Sequence, residues 1–308
     1  MIVDGITTPE LILDATYERL AGGDIFDAME SLLMSLTALR SSLEHQAWLD
    51  FCATSLRTHP VFAFVHQAPF TKRAFDKPRG YPGDAVTLDY IYGVESLREH
   101  TGPEVARLSA WEFQTPSCRS VRARKDVLAK HIDDIAALVS RPRVLSLACG
   151  HLREARTSEA VLNRAVDFVA VDQDPDSVAT VDAQLKEYGV RAIKGSVRAV
   201  LAKKLAFQEL DLAYAAGLYD YLGQPMAKEL SSRLFEMLRS GGRLLIPNFN
   251  PTLRDIGYLE GFMDWQLIYR DDDAMLDLAS ALPANQVAGC ELFRESHGNI
   301  TFLAVTKV

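Results

Sequence analysis

An alternation of strand-like and helix-like segments in the second half of the chain constrains its fold more than any other feature. Apolar, strand-like runs recur between residues 143 and 249, and segments with a helical pattern separate them. Parallel strands need long crossover connections, and helices are the usual crossovers. Two final strand-like runs, residues 286–295 and 299–308, are joined by a short turn and predict an antiparallel hairpin. We therefore predict an α/β fold with a Rossmann-like sheet of five parallel strands and a C-terminal hairpin.

The first half of the chain lacks this alternation and predicts helices instead. Residues 8–68 are rich in Leu, Ala, Glu and Met, and Thr8-Pro9 is typical of a helix start. Further helices are expected over residues 84 to about 100 and 103 to about 140. Four apolar residues recur at spacings of three and four, which predicts one shared helix face: Phe26, Met29, Leu33 and Leu36. We therefore predict a helical domain over residues 1–140 and an α/β domain over residues 141–308.

The segment FTKRAFDKPRGYPGD, residues 70–84, interrupts the helical pattern. Its prolines and glycines predict an ordered turn or a lid-like loop. Two interpretations stay open here. The segment is either a surface connection between helices or a loop that presents Arg79, Tyr81 and Asp84 to a ligand.

Two further expectations concern helices. A helix over residues 224–242 is expected to end near Gly241, because glycine suits a helix C-terminal cap. A cluster of basic residues is expected on the solvated face of a helix: Arg119, Arg122, Arg124 and Lys125.

Composition excludes several classes of partner. The 308 residues include 33 Lys and Arg against 41 Asp and Glu, a net charge of −8 that opposes nucleic acids and anionic membranes. The four cysteines and seven histidines lack metal-ligand spacing, so we predict neither a metal site nor a disulfide framework. The first residues have no signal-peptide pattern, and no apolar run is long enough for a membrane span. We expect a soluble, cytoplasmic protein.

The loop after the first strand indicates the kind of cofactor. A dinucleotide fingerprint needs three glycines, but here only Gly150 is present and Arg153 stands at the third position. This disfavours a nicotinamide dinucleotide and favours a ligand without phosphates, such as S-adenosylmethionine. Asp172 ends the next strand, 22 residues after Gly150, where a carboxylate can accept hydrogen bonds from ribose hydroxyls.

The segments VLSLACG, VAVDQDP, KGSV, DLAYAAGLYDYL and GGRLLIPNFNP together resemble a class I S-adenosylmethionine-dependent methyltransferase. More narrowly, the motifs KPRGYPGD, SLACGHLRE, AGLYDYL, NFNP and DWQLIYR resemble a bacterial family of biosynthesis proteins for the 3-hydroxypalmitic acid methyl ester signal. The resemblance covers roughly residues 70–308, and the combination of motifs is more specific than any one of them.

The resemblance implies S-adenosylmethionine as cofactor and assigns residues to its parts. Ala148, Cys149 and Gly150 would line the methionine part, and Asp172 would hold the ribose. Three residues would border the adenine: Gln173, Ser196 and Val197. Ala216 and Gly217 would lie along the cofactor opposite the first loop. The wider class has an acid at the position of Ser146 and glycines at Ala148 and Leu152, so the amino end of the cofactor needs another acceptor here.

The expected catalytic residues lie at the carboxyl ends of strands and in the loop of residues 70–84. An Arg or a Tyr could orient a carboxylate acceptor, whereas an acid or a Tyr could take a proton from an amine or hydroxyl. Aromatic packing, helix capping and core packing are alternative roles for the same residues. The candidates are Tyr81, Asp84, Tyr219, Asn248, Trp265 and Arg270.

The leading hypothesis is a methyltransferase for a small-molecule acceptor. The resemblance implies carboxyl O-methylation of a hydroxy fatty acid or another small acid. The alternatives are N- or S-methylation of a small polar metabolite and a non-catalytic, cofactor-binding regulatory protein. A nicotinamide oxidoreductase is disfavoured by the missing glycines, and a nucleic-acid methyltransferase by the negative charge. The helical domain could cover the active site or form a homodimer interface.

Overall fold

The computed structural model describes residues 9–94 and 102–308. Contacts between residues divide the chain into two compact units. The first unit, here the helical unit, contains the described residues up to Arg119 together with Leu253–Gln266. The second, here the sheet unit, contains Ser120–Thr252 and Leu267–Val308. The boundaries of these units differ from the predicted domain boundary after residue 140. The predicted boundary stays a prediction.

The described residues up to 138 are mostly helical. Several of these helices begin with proline, whose fixed φ and missing N–H suit the first helical turn. The helices are α1 (Pro9–Ala21), α2 (Ile25–Ser42), α3 (His45–Phe51), a π-helical segment (Cys52–Leu56), α4 (Pro60–Val65), α5 (Pro69–Asp76), α6 (Ala85–Ile91), α7 (Pro103–Glu112) and α8 (Pro116–Leu138).

Strands and helices alternate from residue 143 onward, as the sequence predicts. Short 3-10 helices also occur at Arg153–Arg156, Lys186–Tyr188, Tyr219–Tyr221 and Ala284–Gln286. The main elements are β1 (Arg143–Leu147), α9 (Glu159–Leu162), β2 (Asp167–Asp172), α10 (Pro175–Leu185), β3 (Arg191–Lys194), α11 (Val197–Leu201), β4 (Leu210–Tyr214), α12 (Gln224–Glu236), β5 (Leu238–Phe249), α13 (Ile256–Phe262), α14 (Asp272–Asp277), β6 (Val287–Arg294) and β7 (Ile300–Lys307).

One sheet joins all the strands of the described residues, and it confirms the predicted fold class. Its seven strands have the order β3-β2-β1-β4-β5-β7-β6. The five strands from β3 to β5 are parallel, and β7 runs antiparallel to both β5 and β6. The chain moves outward in one direction from β1 to β3 and in the other from β4. The carboxyl ends of β1 and β4 therefore form the switch point at which sheets of this kind bind ligands.

The core of the sheet unit lies along the central strands. Leu145 of β1, Ala213 of β4 and Ile246 of β5 are fully buried, and they belong to one apolar cluster with Leu230 and Leu234 of α12. Strands buried along most of their length read as continuous apolar runs, which explains why the sequence pattern located β1, β2, β4 and β5. This packing fixes the strand ends that carry the candidate site.

The expectation for the end of α12 is wrong. Helix α12 ends at Glu236, and Gly241 lies inside β5 with φ +76°. The pairing of β4 with β5 shifts register between Leu210 and Leu212, and Gly241 and Gly242 accommodate this irregularity. A Cβ on Gly242 would overlap the carbonyl oxygen of Leu210. Residues 238–242 have a helix-like sequence, but their pairing with β4 makes them part of strand β5.

The buried face of α2 includes three of the four residues predicted to share it. Met29, Leu33 and Leu36 are buried, but Phe26 is 46% exposed, so the expectation for Phe26 is wrong. The buried face also contains Ile25 and Leu32, and its centre lies about a quarter turn away from Phe26.

The segment of residues 70–84 is half helix and half loop. Helix α5 extends to Asp76, which contradicts the prediction that residues 70–76 lie in a loop. The loop itself begins at Lys77, which has φ +49°, and ends at Asp84 before α6. The predicted helix over residues 84–100 ends at Ile91. Thr8 and residues 95–101 lie outside the described residues.

Three further findings bear on the class of protein. Within residues 9–94 and 102–308, no helix is long and apolar enough to cross a membrane. The same residues contain no group of His, Cys, Asp and Glu side chains that could hold a metal ion. The four cysteines are free thiols.

We predict that Gly257→Ala destabilises the helical unit. Helix α13 approaches α2 so closely that a Cβ on Gly257 would lie 2.6 Å from the carbonyl carbon of Leu36. Forcing a methyl group into this contact should lower the free energy of unfolding by about 1–3 kcal/mol. Gly289→Ala is the control, because a Cβ there meets no atom within 4 Å. Denaturant unfolding of both variants tests this, and equal stability would contradict the close helix contact.

Candidate functional site

The loop after β1 has an unusual backbone. Ala148, Gly150 and Leu152 all have left-handed conformations, with φ values of 52°, 52° and 50°. Such conformations are unfavourable for residues other than glycine, so the surrounding structure must hold them. Two backbone hydrogen bonds contribute: Cys149 N–H donates to the carbonyl of Val171, and Leu152 N–H donates to that of Cys149. The loop is thereby fixed against the end of β2.

Asp172 joins this loop to the end of β2. Its Oδ2 accepts a hydrogen bond of 2.8 Å from the Gly150 N–H, and its Oδ1 accepts one of 2.9 Å from the Asp174 N–H. Burial raises the pKa of Asp172, and these N–H donors oppose that rise. A carboxylate oxygen can accept more than one hydrogen bond, so both oxygens can still accept from ligand hydroxyls. The structure therefore brings together two residues that the sequence assigned to a cofactor.

The residues expected beside the adenine follow β2 and β3, which are neighbouring strands. The Gly195 N–H donates to the carbonyl of Asp172, which holds the two strand ends together. Ser196 caps α11 by accepting a hydrogen bond from the Ala199 N–H, and Val197 begins that helix. Gln173 is exposed. All these residues lie at the carboxyl edge of the sheet, but the assignment to an adenine stays a prediction.

Ala216 and Gly217 follow β4 on the other side of the switch point. Both are partly exposed, whereas Ala215 before them is buried. Arg124 lies beside Gly217, and a Cβ on Gly217 would be 3.4 Å from Nη1 and 3.5 Å from Nη2 of Arg124. The backbone at Gly217 therefore passes directly along a guanidinium group.

Arg124 is not on a solvated face, so that expectation is wrong. Its exposure is only 3%, because it lies three residues after Val121 and four before Leu128, both of which are buried. The helical spacing from these apolar residues was the signal that sequence analysis missed. Nη1 of Arg124 is 3.8 Å from Oδ2 of Asp220, and Nε has no hydrogen-bond partner among the described residues.

A buried acid that the sequence analysis missed also lies near the first loop. Ser146 of β1 pairs with Tyr214 of β4, and the Tyr214 hydroxyl donates a 2.7 Å hydrogen bond to Oε1 of Glu154. Burial raises the pKa values of both Glu154 and Tyr214. The motif SLACGHLRE contains the signal, because an acid follows eight residues after Ser146. Glu154 thus supplies a carboxyl group behind the loop where Ser146 does not.

Three predicted catalytic residues form one internal network in the sheet unit. Nε of Arg270 donates to Gln224, Nη1 donates to the carbonyl of Tyr219 and to Oδ1 of Asn248, and Nη2 donates to the carbonyl of Leu222. Arg270 is 1% exposed. Its guanidinium therefore ties together the segments around β5 and the 3-10 helix after β4.

The side chains of Tyr219 and Asn248 also have hydrogen-bond partners within the protein. The Asn248 amide donates to the carbonyls of Phe249 and Ile268, and the buried Tyr219 hydroxyl lies 3.1 Å from Oγ of Ser231. These hydrogen bonds support the strand ends. Catalytic roles for Tyr219, Asn248 and Arg270 stay predictions.

The remaining catalytic candidates belong to the helical unit. Asp84 is fully buried, accepts a 2.8 Å hydrogen bond from the Thr87 N–H as the cap of α6, and pairs with Arg73 at 2.7 Å. The capping role that the sequence left open is therefore present. Trp265 is 7% exposed and Tyr81 is half-buried. Catalytic roles for Tyr81, Asp84 and Trp265 stay predictions.

Comparison with known proteins identifies a shared fold. No protein-family model and no curated protein matches the chain. A solved structure described as a possible exported protein from Bordetella parapertussis matches with a TM-score of 0.56 and 12% sequence identity. The match covers 100% of this chain and 99% of the other. The fold likeness therefore extends over both chains.

Methyltransferases occur among the other similar structures, at lower TM-scores. Magnesium protoporphyrin IX methyltransferase from Synechocystis matches at 0.49, with 12% identity over 78% of this chain and 100% of that one. The N-methyltransferase NodS from Bradyrhizobium japonicum matches at 0.42, with 11% identity over 61% and 96%. These TM-scores are too low for either activity to be carried over to this chain.

We predict that Arg270→Met lowers stability rather than ligand binding. The substitution leaves the buried carbonyls of Tyr219 and Leu222 without their donors, which should lower the free energy of unfolding by about 3–5 kcal/mol. Arg294→Met is the matched control, because its ion pair with Asp272 is half-exposed and should be worth at most about 1 kcal/mol. Thermal and denaturant unfolding test this. Unchanged stability with lost ligand binding would instead return Arg270 to the ligand site.

Proposed function

We propose that this chain is an S-adenosylmethionine-dependent methyltransferase that acts on a small-molecule acceptor. The observation that carries the proposal is the hydrogen bond between the Gly150 N–H and the Asp172 carboxylate, beside the switch point of β1 and β4. A carboxylate fixed at this place suits the ribose hydroxyls of a nucleoside cofactor. The resemblance of the motifs around Gly150 and Asp172 to class I methyltransferases supports the same cofactor.

The polar groups of the site fit this cofactor better than a dinucleotide. With Gly150 as the second glycine of a dinucleotide fingerprint, Ala148 and Arg153 stand at the first and third positions, so the glycines for the tight turn and for close helix packing are missing. Asp172 matches ribose hydroxyls, and the guanidinium of Arg124 offers a positive charge beside Gly217. The site therefore holds groups for hydroxyls and for one negative charge.

When bound, the sulfonium cofactor supplies an activated methyl group. The methyl group would pass to an electron pair of the acceptor, and the electrons of the broken sulfur–methyl bond would stay on sulfur. The protein has to align the acceptor with that bond and exclude water, and positioning of this kind can supply about 7–11 kcal/mol. The loop of Ala148, Gly150 and Leu152 would provide the fixed wall against which the cofactor is aligned.

For the acceptor we propose a small carboxylic acid, with methyl ester formation as the product. The support is the motif resemblance to the methyl ester family, together with the chemistry of the acceptor. A carboxylate is ionised near pH 7 and needs no general base, which suits a sheet unit whose Tyr219 hydroxyl and Asp220 carboxyl are buried and occupied. N- or S-methylation of a polar metabolite and binding without turnover are the alternative outcomes of an acceptor screen.

The same proposal includes a cytoplasmic location, a homodimer and a role for the helical unit. We propose that the helical unit selects the acceptor, through Tyr81, Asp84 or Trp265, or forms a dimer interface. Sedimentation analysis at several protein concentrations separates the second role from the first.

The prediction that tests the cofactor is made with Asp172→Ala. Calorimetry should show that wild-type protein binds S-adenosylhomocysteine at micromolar concentration and does not bind NAD. Loss of the ribose acceptor should weaken S-adenosylhomocysteine binding at least about tenfold, which corresponds to about 1.4 kcal/mol. Asp182→Ala is the control, because its half-exposed carboxylate pairs with Lys186 on the surface of α10 and should leave binding unchanged.

Binding of NAD in place of the sulfur compound would contradict the proposed function. So would equal affinities of wild-type protein and Asp172→Ala for S-adenosylhomocysteine.

A further inference from the structure

Arg124 is a buried cation whose hydrogen bonds are largely unmade. Its side chain is 4% exposed, and Nε has no partner among the described residues. The ion pair with Asp220, at 3.8 Å, is longer than a hydrogen bond. A buried guanidinium is stable only when acceptors surround it, so its environment lacks at least one acceptor. Arg270 in the same unit shows the contrast, because each nitrogen of its guanidinium donates to an oxygen.

The neighbouring acids do not supply the missing acceptor. Oδ1 of Asp220 already accepts a 2.8 Å hydrogen bond from the Phe249 N–H. Burial raises the pKa of Asp220 to about 6 even though Arg124 opposes the rise, so the two groups compensate each other only in part. Glu154 interacts with Arg124 electrostatically, but its Oε1 accepts the Tyr214 hydroxyl.

The guanidinium lies where a ligand would pass. Both of its terminal nitrogens are within 3.5 Å of the place where a Cβ on Gly217 would be. Gly217 and Ala216 are partly exposed at the carboxyl end of β4, next to the switch point. A planar group with two parallel donors at this place matches the two oxygens of a carboxylate.

We propose that Arg124 binds the carboxylate of a small molecule held at the carboxyl end of β4. The inference rests on the proposed function, which offers two sources of that carboxylate. One is the amino-acid end of S-adenosylmethionine, and the other is a carboxylic acid acceptor. In either case the anion supplies the acceptor that the protein does not, and Arg124 sets which ligands enter the site.

The experiment compares two probes of the cofactor by calorimetry. S-adenosylhomocysteine carries the amino-acid carboxylate, whereas 5′-methylthioadenosine has the same adenosine and thioether without it. The variants are Arg124→Met, which removes the charge, and Arg124→Lys, which keeps it without the paired donors. Lys130→Met on the exposed face of the same helix is the control. An unfolding curve for each variant establishes that it is folded.

If the carboxylate is that of the cofactor, Arg124→Met weakens S-adenosylhomocysteine binding about 10- to 100-fold and leaves methylthioadenosine binding unchanged. Arg124→Lys should fall between wild type and Arg124→Met. If the carboxylate is that of the acceptor, both cofactor probes bind as before. In that case, Arg124→Met saturated with S-adenosylhomocysteine no longer binds 3-hydroxydecanoate. The methyl ester of 3-hydroxydecanoate, which lacks the carboxylate, binds poorly to all variants.

Two other outcomes overturn the inference. If Arg124→Met lowers the affinity for both cofactor probes equally, or changes no ligand's affinity, Arg124 does not bind a carboxylate, and the proposed function still stands. If neither cofactor probe binds wild-type protein, the proposed function fails and this inference fails with it.

Discussion

The hydrogen bond from Gly150 to Asp172 is the interaction on which the candidate site depends. It ties the loop after β1, with its left-handed residues, to the carboxyl end of β2. A second bond, from Gly195 to the carbonyl of Asp172, adds the end of β3. Three neighbouring strand ends are thereby fixed relative to each other before any ligand binds. A preformed edge of this kind loses little conformational entropy on binding, which favours affinity.

Two buried arginines of the sheet unit differ in their roles: Arg270 supports the fold, and we propose that Arg124 binds a ligand. Arg270 is saturated by oxygens of the protein and holds β5 and the segment after β4 in place. Arg124 has a similar burial but only a long ion pair with Asp220. Since burial of a charge is unfavourable without acceptors, a saturated guanidinium indicates a structural role and an unsaturated one indicates a ligand. Residue type alone could not show this difference in hydrogen bonding, and the sequence analysis expected Arg124 on a solvated face, where it does not lie.

The sequence predicted what local patterns determine. Apolar runs predicted the parallel strands, because a strand buried on both faces consists of consecutive apolar residues. The turn before Asn299 predicted the hairpin, because a short connection also involves only residues that are close in sequence. Gly241 and Glu154 could not be placed in this way. Their positions depend on the register between β4 and β5 and on the contact of Tyr214 with the segment after β1, which join residues far apart in the chain. The loop predicted over residues 70–84 was also too long, because helix α5 extends to Asp76.

A crystal structure of the protein grown with S-adenosylhomocysteine tests the central claim most directly. The account predicts that the ribose hydroxyls lie within hydrogen-bond distance of Asp172, with the ligand passing between the loop of Gly150 and the backbone of Gly217. The sheet should be unchanged, because the strand ends are fixed beforehand. Ligand density at another edge of the sheet, or a ribose that does not contact Asp172, would contradict it.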